Sequence, residues 1–154
     1  MKRYLTFDLD ECYALDMDLV AEVIQSKPVT PVPETPAYIA GVINLRGAVI
    51  PVIDMRARFL KEQREDLLRR CILIISFGEM MIGLLVDDNA DITELDPEQL
   101  AAPPQVGNHY SHVFIKSIGM TEGKVILVID TDKLVHLEEI NAMDIGETRA
   151  ENEG

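Results

Sequence analysis

The stretch Ile39–Phe59, IAGVINLRGAVIPVIDMRARF, decides the fold. Val42, Ile43, Val49, Ile50, Val52 and Ile53 are β-branched and closely spaced, which suits buried strands better than a helix. Between the two apolar runs stand Asn44, Leu45, Arg46 and Gly47. Gly47 takes the positive φ of a tight turn at no steric cost, and the charge of Arg46 is costly to bury, so a hairpin with an exposed Arg46 is predicted. Pro51 has no N–H for a ladder and is expected at an edge or a bulge. Asp54 then caps a short helical turn over Met55–Phe59 by accepting from an unpaired N–H.

Outward from this hairpin, the chain reads as strands. YLTFDLDECYALDM alternates, breaks at Asp10-Glu11 and resumes at Cys12–Leu15, predicting strand, turn, strand. Leu19, Val20, Val23 and Ile24 recur at three- and four-residue steps behind Asp16 and Asp18, predicting a short capped helix with Val20 and Val23 inward and Glu22 in water. Pro28, Pro31, Pro33 and Pro36 give an extended connection. KEQREDLLRR after the hairpin is charged and without a clear apolar stripe, and reads as a solvated loop or a frayed extension of the short helix. CILIISFGEMMIGLLVD is a second strand pair broken at Gly78-Glu79, Asp96-Pro97 opens one helical turn before Pro103-Pro104, and VFIKSIGMTEGKVILVID is a hairpin turning at Gly123. Asp132 is placed to cap a C-terminal helix carrying Leu134, Leu137 and Ile140, and residues 144–154 form a polar, acidic tail.

The chain repeats itself. Tyr4–Asp16 parallels Ile72–Asp87, and VIPVID (Val49–Asp54) parallels VILVID (Val125–Asp130) nearly residue for residue. Two units of about five short strands are implied, roughly 4–60 and 71–137, each a small barrel packed on the other within one domain, 1–143.

Composition narrows the function. With 14 Lys+Arg against 27 Asp+Glu, a net charge of −13, the chain lacks the basic surface that nucleic acid or anionic lipid requires. No apolar run reaches the roughly 18 residues of a membrane span and the N-terminus lacks a signal-peptide core, so a cytoplasmic location is expected. Cys12 and Cys71 lie in apolar strand patterns without CxxC spacing, as buried free thiols. His109, His112 and His136 form no HExxH, and Ser76, Ser111 and Ser117 no GxSxG. Asp87, Asp88, Asp91, Glu94, Asp96 and Glu98 lack calcium-loop spacing and read as a solvated acidic face. No glycine pattern cradles phosphate, so no cofactor, metal or catalytic residue is assigned. The rival reading is a small metal-dependent hydrolase using acidic residues 87–98.

The order GVINLRG, then VIPVID, behind a proline-rich segment ending in TPAYIAG, resembles the CheW-like domain family of chemotaxis adaptors. The resemblance spans roughly Tyr4–Leu137. It implies a mainly β fold of two five-stranded SH3-like barrels with a groove between them, short helices and a C-terminal helix. It further implies a non-enzymatic scaffold in two-component signal transduction, joining the cytoplasmic tip of a chemoreceptor to the regulatory domain of a CheA-type histidine kinase, for flagellar or other outputs. Protein-docking residues expected from it are Val20, Glu22 and Val23 beside the groove, and Gly41, Asn44, Arg46 and Gly47 on the hairpin. From spacing alone, Arg46 reads rather as a solvated turn arginine, and the resemblance is what turns it into a docking residue.

Overall fold

The computed structural model describes residues 1–63, 70–87, 90–103 and 113–135. Its strands are β1 (Lys2–Leu9), β2 (Glu11–Asp16), β3 (Val20–Gln25), β4 (Ile39–Leu45), β5 (Ala48–Asp54), β6 (Arg70–Phe77), β7 (Met80–Asp87), β8 (Asp91–Leu95), β9 (Leu100–Ala101), β10 (Ile115–Thr121) and β11 (Lys124–Ile129), with helices α1 (Met55–Arg58) and α2 (Thr131–Leu134). They form two sheets, ordered β8-β1-β2-β11-β10-β9 and β3-β6-β7-β5-β4.

The predicted repeat is present, but its halves are exchanged. Hairpin β1–β2 joins β11 in parallel, and hairpin β6–β7 joins β5 in parallel. Each sheet therefore does not follow the division 4–60 and 71–137. The first takes β1 and β2 from one end of the chain and β8–β11 from the other, and the second takes β3–β7. Parallel neighbours cannot be joined by a tight hairpin, so each parallel pair needs a long crossover, and the two crossovers interleave the sheets.

Three apolar clusters follow from this. Tyr4, Cys12, Ala14, Leu95, Ile126 and Val128 fill the first sheet's own interior. Ile43, Ile50, Val52, Ile72, Ile74 and Leu85 fill the second's. The largest cluster lies between them, where Leu5, Phe7, Leu9 and Tyr13 of the first sheet meet Leu73, Ile75, Ile82 and Leu84 of the second. Either sheet alone would leave that face in water, at about 25 cal/mol per Å².

The local predictions fare unevenly. Asp54 caps α1, its carboxylate accepting from the N–H groups of Arg56 and Ala57. Pro51 stands one residue before the β5–β7 register begins at Val52, so its missing N–H falls at a local edge. Gly78 and Gly123 occupy turns at φ 64° and 75°. Residues 19–24 are not a helix. A 3₁₀ turn covers Met17–Leu19, with Asp16 accepting from the Asp18 N–H, and Val20 starts β3. At the C-terminal side Asp130, not Asp132, caps α2, repeating Asp54; Asp132 donates its N–H to that carboxylate. Leu137, Ile140, His109, His112, His136, most of the 61–70 loop and the 144–154 tail lie outside the described residues. Cys12 and Cys71 are buried free thiols, Cys12 with its pKa raised by burial.

Candidate protein-docking site

The expected docking residues converge where the two ends of the second sheet meet. In the β4–β5 turn both Arg46 (φ 51°) and Gly47 (φ 90°) are left-handed, as a two-residue type I′ turn requires. Asn44 fixes this turn, its Oδ1 accepting from the Gly47 N–H at 3.0 Å, and its carbonyl accepts from Lys27 Nζ at 2.7 Å. Behind the turn, Gly41 (φ 143°) lets the proline-rich segment cross β4. A Cβ there would stand 2.0 Å from the Thr30 carbonyl oxygen. Thr30 and Val42 exchange two backbone hydrogen bonds at 2.9 Å, closing the sheet toward β3.

Across that seam the Arg46 guanidinium donates to Glu22 on β3, an ion pair joining residues 24 apart in sequence. Arg46 is 68% exposed and Glu22 35%, so the pair sits at the surface with the carboxylate partly sheltered. The prediction that Glu22 lies in water is therefore corrected. A register shift between Val20 and Glu22 puts Val20 opposite Ile75 and Val23 opposite Leu73, both on the face of the large inter-sheet cluster. Val20 packs on that cluster, whereas Val23, expected inward, is exposed at its rim. Val49, beside the turn on β5, is also exposed. The resulting surface is aliphatic, with the Arg46 guanidinium paired to the Glu22 carboxylate and the Lys27 ammonium beside the turn.

A second charged group was not legible in the sequence. Arg56, on α1, is fully buried and donates to both carboxylate oxygens of Asp87 at 3.2 and 2.7 Å, to Asp10 at 2.9 Å and to the Glu62 carbonyl at 2.9 Å. Hydrogen bonds to Asp87 first and Asp10 second hold it charged. Asp87, predicted on a solvated acidic face, is buried in this network. Arg58 lies between the rings of Tyr38 and Phe114, at 4.1 and 4.6 Å, and donates to the Leu134 carbonyl at 2.9 Å. Arg56 ties α1 to Asp87 of β7 and to Asp10 in the β1–β2 turn, and Arg58 ties it to Leu134 of α2. The only advance signal was the arginine-alanine alternation after Asp54, because the two carboxylates that Arg56 engages and the Leu134 carbonyl that Arg58 engages lie 31 to 76 residues away. Among the described residues no group of three His, Cys, Asp or Glu could hold a metal ion, and no helix is long and apolar enough to cross a membrane.

A family model described as the CheW-like domain matches residues 3–139. The chain is 32% identical over 133 residues to the chemotaxis protein CheW of Rhizobium meliloti, covering 86% of each. It is 32% identical over 143 residues to the chemotaxis protein CheW of Thermotoga maritima, covering 91% of this chain and 90% of that one. The crystal structure of the scaffolding protein TtCheW from Thermoanaerobacter tengcongensis matches with a TM-score of 0.80 at 34% identity, over 90% of both chains. Two exchanged β units, the hairpin with its Arg-Gly turn and a match along almost the whole length agree: the chain belongs to the CheW-like domain family.

Proposed function

We propose that this protein is a non-enzymatic chemotaxis adaptor that couples the cytoplasmic tip of a chemoreceptor to the regulatory domain of a CheA-type histidine kinase. The observation carrying this reading is the Arg46–Glu22 pair, held on a type I′ turn and flanked by exposed Val23 and Val49. Such a surface has the composition of a docking site: aliphatic area for burial, and a fixed fork of donors for register and selectivity. Val20, Gly41, Asn44 and Gly47 shape it from behind. The names of its relatives, chemotaxis and scaffolding proteins, support the pathway. Engagement of Asp87 by Arg56 weighs against an acidic catalytic cluster at residues 87–98. On this reading the protein works in the cytoplasm and reaches the membrane through its receptor.

The test is size-exclusion chromatography of the purified chain with a chemoreceptor cytoplasmic fragment and with a CheA-type regulatory domain. Co-elution with both is expected. Binding to neither, together with a metal-dependent hydrolytic turnover, would refute the adaptor reading.

A further inference from the structure

Five strands of the first sheet, β8-β1-β2-β11-β10, repeat the five of the second, β3-β6-β7-β5-β4, and the two-residue β9 is extra. In the second, a row of register partners runs Glu22, Ile74, Gly83, Val52, Gly41. In the first, the matching row runs Asp91, Thr6, Ala14, Val128, Ser117. Both rows end at the same irregularity, a register shift reaching Gly41 in one and Ser117 in the other. This correspondence sets Val23 against Ile92, Val49 against Val125, and the turn Arg46-Gly47 against Glu122-Gly123.

Exposed aliphatics repeat with it. Val23 and Ile92 are 43% and 50% exposed, and Val49 and Val125 are 48% and 47%. The charge does not repeat. Where the second sheet's seam is latched by Arg46 and Glu22, the first has Glu122 and Asp91, two acids. Among the described residues no ion pair crosses that seam. Instead a groove of about 400 Å³ opens there, lined by residues that include Ile92, Glu94, Glu122, Lys124 and Ile126. The lining also carries a cation, Lys124, whose charge opposes the larger rise that burial gives the Cys12 thiol's pKa.

We propose that this groove is a second protein-docking site, whose occupant is a partner segment presenting an Arg or Lys side chain between aliphatic residues. Glu94 and Glu122 on its two sides favour a cation between them, and the half-exposed Ile92 offers apolar area beside them. The partner's cation supplies in trans what Arg46 supplies within the chain in the other sheet. The site is separate from the Arg46–Glu22 surface and does not depend on the receptor and kinase assignment.

The experiment uses the isotope-labelled full chain and a short capped peptide alternating valine and arginine, with a valine–glutamate peptide as control. Saturable amide shifts are expected at Thr93, Glu94, Glu122 and Lys124 with the arginine peptide only. Glu94→Gln with Glu122→Gln should weaken Kd about fivefold, as loss of rim charges does. Lys124→Glu should tighten it, a gain that misfolding cannot imitate. No saturation at these amides, equal affinity in the double variant, or shifts centred on Glu22 and Arg46 would overturn the proposal. Groove shifts that grow with protein concentration in the absence of peptide would overturn it too, by assigning the site to a second copy of the chain.

Discussion

Arg56 is the largest fully buried side chain, and Asp87 is buried against it. Removing one member of a buried pair strands the other charge, so Arg56→Met should cost about 3–5 kcal/mol in urea unfolding, and adding Asp87→Leu should restore part of it. A single-variant loss below about 1 kcal/mol would show that Asp87 is not stranded. Tyr13 contributes to the alkaline pH dependence. Burial first, and Glu11 second, raise its pKa well above the ordinary 10.0, and its hydroxyl donates to Glu11 at 3.0 Å. The phenol stays neutral in the fold while it ionises near its ordinary value when unfolded. Stability is therefore complete below that value and falls as pH rises beyond it, by up to about 1.4 kcal/mol per unit. Urea titrations above about pH 10 should show a shallower fall for Tyr13→Phe than for the unaltered chain; equal slopes would refute this. Single residues of this kind were partly legible. Asp54 announced itself as a cap by preceding an apolar turn, whereas Arg56 gave no sign of partners 31 and 46 residues away.

Elements were read correctly where β-branched alternation is unbroken, as in β4, β5 and β11. β3 shows why the rule failed elsewhere. Its register shift adds one residue to the alternation, so Val20 and Val23 share a face at a three-residue step that mimics a helix. The closure of the second sheet rests on another local feature. Gly41 is left-handed and pressed against Thr30, so Gly41→Ala should cost about 3 kcal/mol and separate the proline-rich segment from β4. Hydrogen exchange reads this directly. The amides of Thr30 and Val42, which bond each other's carbonyls, should lose protection in the variant. Retained protection would mean that the backbone accommodates the methyl group.

In the whole molecule, the repeat was visible in the sequence but the pairing was not. VIPVID and VILVID are so alike that either hairpin could accept either strand, and only the three-dimensional crossover selects β5 with β7 and β11 with β2. Fragments Met1–Lys61 and Cys71–Gly154 consequently each lose a parallel neighbour from both sheets and should be unfolded. A dispersed amide spectrum from either would contradict the exchanged topology. Interlocked sheets make a rigid frame, and on that frame the Arg46 turn is free to recognise a partner without supporting the core. The exposed Arg46–Glu22 pair should contribute little to stability, so Arg46→Ala is expected to shift Tm by no more than about 2 °C. On the proposed adaptor reading its guanidinium would be covered by a receptor or kinase and should matter far more to binding. The decisive measurement is the affinity of Arg46→Ala for the chemoreceptor fragment and the kinase regulatory domain, taken beside its melting temperature. The expected result is a loss of binding of about 1–3 kcal/mol to at least one partner with melting preserved; unchanged binding to both by a normally folded variant would contradict it.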